Sequence, residues 1–397
     1  IKNIKLYTEI VYKTVSEKCT NCNGSGFIQK VKKDGQLYRK TSKCNSCLGV
    51  GVCHMQTNKI GGFKFIPKDS SEVAIGGFTT AGQTIERLEG IAGGSAREFL
   101  AKINRSNSIS TYLSTFIGGI RKGLRQHDVL HTSFMQCVTS TGRLSARLPN
   151  FHNMPRANTF PVRKVVVSRF EGGKILEGDF KQLEFRIAGE LSNDKQIFED
   201  VIGGLDVHAA TAEWTKLSRQ DSKPFTFRPV YGGTDRGQPE HIARYIRYFQ
   251  DRYKGLFKAH IEWQNEVLNT GSYKIPSGRE FIFPNTVRYA SGGISNSTSI
   301  ANYKVQSFST ADLVPISVIK TWKLFKEYTL KSIIILTVHD SIEIDCHPEE
   351  IEICKELLQQ GMNCLVEECL KRYNYNLQIP IESEFKIGDN WLNMKDI

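Results

Sequence analysis

Nothing in these 397 residues approaches the roughly eighteen consecutive apolar positions that a membrane-crossing helix needs. The longest purely apolar run sits around Ile333–Leu336, which excludes a bilayer-spanning segment. Ten cysteines are too few for a disulfide scaffold in a chain of this length. Four of them fall in paired spacings, which points to metal binding in a reducing compartment. There is no low-complexity tract, and no charged-then-apolar opening followed by small residues, so no secretory signal is read, although the sequence starts at Ile1 rather than Met. Charged residues at 24% and hydrophobic ones at 40% exclude global disorder. What the chain does have is a mass of 44.9 kDa, enough for two or three domains, and a net charge of +12 with a pI near 9.1. That excess suits nucleic acid, because Lys and Arg neutralise phosphates and release counterions; it also suits an acidic protein or a ribosomal surface.

Three textures follow one another. Residues 1–60 carry the paired cysteines among many Lys and Gly, with little helical periodicity. Residues 61–165 open on Gly61-Gly62, Gly76-Gly77 and Gly93-Gly94, and the spacing predicts a helix around Ser95–Gly118. Residues 166–397 mix short apolar strands with longer helical patterns. Val165–Val167 and Lys174–Glu177 read as strands, the second leading into Gly178-Asp179. Ser332–Val338 and Ile342–Cys346 flank His339-Asp340-Ser341 as a hairpin, and Ile351–Tyr373 has helical spacing.

The unit Cys19-Thr-Asn-Cys22-Asn-Gly24-Ser-Gly26 recurs as Cys44-Asn-Ser-Cys47-Leu-Gly49-Val-Gly51. Two such turns can set four thiolates tetrahedrally around one Zn²⁺, and four sulfurs leave no open position, so the site reads as structural. The glycines free the backbone to turn its amides toward the sulfurs. The alternative is chance thiols in a loop, which the repetition disfavours. The repeat resembles the zinc motifs of J-domain cochaperones over these eight-residue units. Lys30, Lys32, Lys33, Arg39, Lys40 and Lys43 between the pairs suit phosphate contacts or a solvated loop, and Cys53 and His54 are lesser candidates as substitute ligands.

In Leu176-Glu177-Gly178-Asp179-Phe180-Lys181-Gln182-Leu183-Glu184-Phe185-Arg186 an apolar strand ends in an acid and the spacing then turns helical. A second acid, Asp340, sits at the hairpin turn. If the two strands are neighbours, Asp179 and Asp340 converge, and two hard oxygen ligands suit a pair of Mg²⁺ ions for in-line phosphoryl transfer. Taken alone, each reads rather as a surface aspartate at a strand end, common in any α/β fold. Arg219, Lys223, Phe227 and Tyr231 recur every four residues and form one slowly turning helical stripe, at about 40° per step. Arg and Lys on that stripe argue against a purely buried face.

Over residues 75–397 the chain resembles the polymerase part of family A DNA polymerases, closest to the phage replicative enzymes. Thr141-Gly142-Arg143-Leu144-Ser145, with Pro149-Asn150 and Asn153-Met154-Pro155, resembles the thumb–palm junction; Asp179–Arg186 resembles motif A; Asp206-Val207-His208 resembles the opening of the fingers. The four-residue stripe resembles motif B, Val338-His339-Asp340 resembles motif C preceded by Asn302 and Gln306, and Gly388-Asp389-Asn390-Trp391 is also family-like. The fold this implies is α+β: a right hand with an antiparallel palm sheet, helical fingers and thumb, plus the small four-cysteine zinc-binding module. The expected divisions are 1–60 for the cysteine module and thumb entry, 61–165 for the thumb and its junction, 166–206 for palm, 207–290 for fingers, and 291–397 for palm and C-terminus.

The resemblance implies a DNA-templated DNA polymerase that adds dNMP to a primer 3′-hydroxyl in DNA replication. Asp179 and Asp340 would hold two Mg²⁺, and Cys19, Cys22, Cys44 and Cys47 one Zn²⁺. Lys223 and Arg219 would bind the triphosphate, with Lys223 aiding departure of pyrophosphate; Phe227 and Tyr231 would stack on sugar and base; His208 would hydrogen-bond a phosphate. Glu184 would fill the space of a ribose 2′-hydroxyl, with Gln182 beside the nucleotide. Arg143, Asn302, Gln306 and His339 would contact the primer–template, and Thr111 and Tyr112, next to Lys102 and Arg105, the duplex backbone. Expected partners are primer–template DNA and dNTPs, with room for a processivity factor or helicase–primase, no membrane, and a monomeric chain in a viral or bacterial host cytoplasm. Residues 1–60 are too few for an exonuclease domain, so the chain as it stands is expected to polymerise without proofreading.

Three features depart from the pattern. Ser341 stands where motif C usually continues with Glu, which removes an auxiliary carboxylate while keeping the metal-bridging aspartate. Pro224 is tolerated if the motif B helix begins near Ser222, whereas Pro229 is expected to kink it. The cysteine module has no counterpart in the common pattern. Two other functions compete: a single-subunit RNA polymerase, against which Glu184 and the thumb motif speak, and a zinc-stabilised DNA-binding protein whose polymerase site has decayed.

Overall fold

The computed structural model describes residues 9–32, 35–60, 72–74, 77–78, 81–124, 128–156, 160–290 and 292–397, in two compact units, Ile1–Thr115 and Phe116–Ile397.

In the first unit, Glu9–Lys18 pairs antiparallel with Val52–Ile60, and Phe27–Val31 pairs with Leu37–Lys43. The two cysteine turns lie at the ends of these strands. Cys53 and His54 fall in Val52–Ile60, and their side chains lie outside the described residues, as do those of Lys30, Lys33 and Arg39. Gly82–Ile91 and Gly94–Thr111 form a helical pair over a small core of Ile85, Leu88 and Leu100. The helix expected around Ser95–Gly118 begins at Gly94 and widens into a π-helical turn over Tyr112–Ile117; Gly118–Gly123 then continues as α-helix.

The second unit is built on a five-stranded antiparallel sheet. Lys174–Phe180 lies at its centre, between Ser341–Cys346 and Ser383–Gly388, with Ile333–Val338 and Met394–Asp396 at the edges. Because side chains alternate along a strand, the register gives the sheet two different faces. Leu176 and Gly178 share one face with Ile342, Ile344 and Phe385, covered by the helix Ile351–Asn363. That helix approaches so closely that a Cβ on Gly178 would lie 2.6 Å from Met362 Sδ and 2.9 Å from Leu358 Cδ2, so only glycine fits there. Glu177 and Asp179 lie on the opposite face with Ser341, Glu343 and Glu384.

Helices make up most of the rest of the unit. Leu183–Ser192, Lys195–Ile202, Val207–Thr215, Arg219–Val230, Glu240–Arg252 and Lys254–Thr270 follow the central strand. Asp194, Asp206 and Ser218 cap three of them by accepting from the backbone N–H of Ile197, of His208 and Ala209, and of Asp221. Phe185, Phe249 and Tyr253 pack edge to face between them, the last two with centroids 4.6 Å apart. Ser297–Gln306 runs through a π-helical stretch, Ser307–Leu313, into Val314–Glu327. Among the described residues no helix is long and apolar enough to cross a membrane.

Three expectations need correction. Val165–Val167 is not a strand: Val162–Val165 is a 3₁₀ turn opened by Pro161, and Val167 makes one isolated bridge to Asn390, with Val165 and Val167 both left exposed. Ile351–Tyr373 breaks at Cys364 into Ile351–Asn363 and Leu365–Tyr373. The motif B helix begins at Arg219 rather than near Ser222, so Pro224 lies inside it, and the helix ends one residue past Pro229. Pro229's missing donor thus falls in the last turn, which Tyr231 N–H to Phe227 O and Gly232 N–H to Pro229 O close.

Candidate active site and thiol cluster

The register decides the site. Asp179 is the Cα partner of Ser341, so Asp340 stands beside it at the hairpin turn, and the Phe180 N–H donates to the Asp340 carbonyl at 3.2 Å. Burial raises the Asp179 pKa, and Glu177 adds to this, against the pull of Arg156 and Lys223. Burial, then the charges of Asp179 and Glu184, raise Asp340 to about 8. Two acids that hinder each other's ionisation are waiting for positive charge. Asp179 Oδ1 is buried without a hydrogen-bond partner, which fits a cation ligand.

The stripe of Arg219, Lys223, Phe227 and Tyr231 divides its work. Burial lowers the Lys223 pKa; Asp340 and Asp179 act in the opposite sense, which sets the ammonium within electrostatic reach of the acids. Arg219 is exposed and donates to the cap Asp206 at 2.6 Å. Phe227 and Tyr231 lie nearly parallel, with centroids 5.7 Å apart. Tyr231 donates its hydroxyl to Glu184, and burial followed by the Glu184 charge pushes its pKa well up, so it stays a donor. Glu184 also accepts from Arg143, whose Nε donates to Thr310 Oγ1 at 2.6 Å. The Glu184 carboxylate thus joins the junction motif, motif A and motif B, with the π-helical stretch tied in through Arg143, and the Thr141 hydroxyl donates to Gln306 Oε1 at 3.0 Å.

The other expected residues are placed as follows. His208 is buried, bonded to Thr226 Oγ1 at 3.1 Å and packed on Phe227; burial, then Lys223 and Arg219, lower it to about 4, so it is neutral. Both ends of the Gln182 amide are taken by backbone, donating to Leu205 O and accepting from Val207 N–H. Asn302 is half-buried one turn before Gln306. His339 is exposed at the hairpin turn in the left-handed region, its ring 5.5 Å from that of His152. Thr111 and Tyr112 end the long helix of the first unit, the former exposed.

Sequence reading missed Arg156, whose exposed guanidinium acts electrostatically on Asp179, Asp340, Lys223 and His339; its only signal was its place directly after Pro155. It also missed Glu343, although the two-residue spacing of Ser341, Glu343 and Asp345 in an otherwise apolar strand marks one polar face.

The four thiols form a closed set. Cys19 and Cys44 Sγ are 3.8 Å apart and Cys22 and Cys47 Sγ 3.5 Å, close to the roughly 3.8 Å edge of a tetrahedron with 2.3 Å metal–sulfur bonds. The Gly26 and Gly51 N–H groups each donate to a sulfur, of Cys22 and Cys47, at 3.3 Å. A Cβ on Gly26 would lie 2.4 Å from Gly49 O, and one on Gly51 2.4 Å from Gly24 O, so the repeat needs glycine at both places. Burial opposes the thiolate at Cys44, but donors from Cys47 and Ser46 outweigh it and bring the pKa to about 6; burial drives Cys19 up to about 12. The cluster could hold one metal ion.

The description "DNA polymerase family A" matches residues 62–393. The chain belongs to that family. DNA polymerase I of Lactococcus lactis subsp. cremoris is 28% identical over 341 residues, and that of Bacillus subtilis 27% over 340, in each case 80% of this chain and 37% of the relative. The chain thus spans little more than a third of the curated relatives it matches. The polymerase domain of Pol1 from M. smegmatis, solved with DNA primer-template and dNTP, superposes with a TM-score of 0.66 at 23% identity, covering 79% of this chain and 56% of that one. The fold is therefore the family A polymerase domain, with the five-stranded sheet as its palm, preceded here by a four-cysteine module.

Proposed function

We propose that this chain is a DNA-templated DNA polymerase that joins dNMP units to a primer 3′-hydroxyl in DNA replication. The observation that carries this is the convergence of Asp179, on the polar sheet face, with Asp340 at the adjoining hairpin turn, with an unpartnered Asp179 oxygen and with Arg156 and Lys223 acting on Asp179 as positive charges. Asp179 and Asp340 would hold Mg²⁺, which supplies Lewis acidity for the attacking hydroxyl and for the departing pyrophosphate. Lys223, partly desolvated, binds triphosphate oxygens, and Arg219 joins it once drawn from Asp206. Glu184, pinned by Arg143 and Tyr231, presents a rigid wall toward the sugar and selects deoxynucleotides. Arg143, Gln306, Asn302 and His339 line the primer–template side, and Thr111 and Tyr112 the duplex backbone. The thumb is assigned to 61–165, the fingers to 207–290, and the palm to 166–206 and 291–397. Cys19, Cys22, Cys44 and Cys47 hold one structural Zn²⁺.

Primer extension tests the proposal. The purified chain with primed template, dNTPs and Mg²⁺ should extend the primer, and Asp179→Ala should lower the rate at least a thousandfold, the loss of about 4 kcal/mol of transition-state stabilisation. No extension by the parent chain, or equal extension by the variant, rejects it. Comparing rNTPs with dNTPs in the same assay separates it from an RNA polymerase.

A further inference from the structure

The polar face of the sheet carries more acid than the two converging aspartates. Glu177 pairs with Glu343, and Asp345 lies two residues further along the Ser341–Cys346 strand. Most of these acids have partners. Glu177 Oε2 accepts from Trp391 Nε1 at 3.0 Å, and Asp345 accepts from Ser168 Oγ at 2.5 Å and lies 3.3 Å from Arg169 Nε. Glu343 differs: it is 1% exposed, and Oε1 accepts from Ser341 Oγ at 2.5 Å, yet Oε2 is buried with no partner. Among the described residues, the only other carboxylate oxygen in that condition is Asp179 Oδ1.

These two free oxygens stand on neighbouring strands. Asp179 is the direct partner of Ser341, and Glu343 is the next residue on the same face, a diagonal pair whose Cα atoms are about 7–8 Å apart. Two carboxylates reach across that span to a shared ion. Among the described residues no cation pairs with the free Glu343 oxygen: Arg163 spends its guanidinium on the Met154 carbonyl, at 3.2 and 3.1 Å, and on the Trp391 ring, 3.8 Å away. A buried, unpaired carboxylate is costly unless positive charge arrives from outside. The Ser341 hydroxyl also ties the Glu343 head to the residue directly opposite Asp179.

We propose that Glu343, steered by Ser341, is a metal-binding carboxylate of this palm and shares a divalent cation with Asp179. The inference rests on the polymerase reading of the site, and names a ligand that position 341 does not supply.

The test uses the full chain freed of divalent ions, titrated with Mn²⁺ and read by electron paramagnetic resonance of the free ion; Asp179→Ala defines the part of the binding that belongs to this site. Glu343→Gln, nearly the same shape, should weaken that part at least tenfold, as expected for loss of a carboxylate from a metal site. Adding Ser341→Glu to Glu343→Gln should bring affinity back to within about threefold of the parent. Affinity unchanged to within twofold in a folded Glu343→Gln chain overturns the proposal, and so does a loss that Ser341→Glu does not restore. If Glu343→Gln does not fold, Glu343→Asp, which keeps the charge and withdraws the head by one methylene, must weaken binding at least fivefold or the proposal falls. Primer extension is scored separately. Extension with unaltered Mn²⁺ affinity sinks this inference and spares the polymerase reading; weakened Mn²⁺ binding in a chain that never extends a primer does the reverse.

Discussion

Replacing Glu184 by alanine probes the carboxylate that joins Arg143 to Tyr231. Its side chain is 10% exposed and accepts from both Arg143 and Tyr231. Alanine leaves Arg143 with the Thr310 hydroxyl and takes the carboxylate acceptor from the buried Tyr231 phenol, which keeps Gln306 as a neighbour. Breaking a buried charge pair by removing one partner costs about 3–5 kcal/mol. Arg143 retains 23% side-chain exposure, so water recovers part of its loss, and the expected cost is about 2–3 kcal/mol. With a urea m-value of about 2–3 kcal/mol per molar, the unfolding midpoint should drop by about 1 M. Glu184→Gln keeps the shape and one acceptor, and should cost about half as much. The same alanine should raise ribonucleotide use relative to deoxynucleotide at least tenfold, equivalent to about 1.4 kcal/mol of lost discrimination. A midpoint within about 0.2 M of the parent would refute the bonding scheme. A destabilised chain with unchanged sugar selectivity would leave Glu184 as a structural pin and remove its proposed role as a gate.

Further outcomes can be checked. Phe227→Tyr adds a hydroxyl on the face proposed to meet the nucleotide, without disturbing the 5.7 Å stack on Tyr231, and should increase dideoxynucleotide incorporation; an unchanged terminator ratio argues against the motif B assignment. Metal analysis should find one zinc per chain, and Cys44→Ser should abolish it and expose the first unit to proteolysis while leaving the melting of the second unit in place; retention of stoichiometric zinc contradicts a four-thiolate site. Burial opposes the charge of Asp200, but hydrogen bonds from Arg252, Tyr253 and Gln196 outweigh it and hold its pKa below the usual range. A depressed folded-state pKa contributes stability that is present above the ordinary value near 4 and is lost as pH falls through the folded one. Asp200→Asn should therefore flatten the decline of stability below about pH 4, and a variant whose acid unfolding curve matches the parent's would show that the network carries no such linkage.

Much of the site was legible in the sequence because it depends on short stretches of chain. The twin CxxCxGxG units state their own geometry, since the second glycine of each, Gly26 and Gly51, lies where the neighbouring turn's carbonyl excludes a Cβ. Asp179 at a strand end, Asp340 at a hairpin turn and the four-residue stripe from Arg219 to Tyr231 are likewise local patterns. Within that stripe, the sequence could not tell that Arg219 would be held by Asp206, or that Gln182 would spend its amide on the backbone of Leu205 and Val207. Val165–Val167 misled because hydrophobic strand propensity is realised only where a partner edge is available, and these residues find a single bridge.

Which side chains stand at strand ends, helix caps and turns follows from local chain chemistry, because those positions are governed by backbone sterics over a few residues. Only the tertiary structure decided that Ser341 lies opposite Asp179, that Glu343 follows it on the same face, and that Glu184 is shared by Arg143 and Tyr231. Those pairings join residues tens to more than a hundred positions apart, and a shift of one residue in strand register would send every acid to the apolar face. The helix Ile351–Asn363, which admits Gly178 and no larger residue, packs on the apolar face and so holds the register that places the acids together.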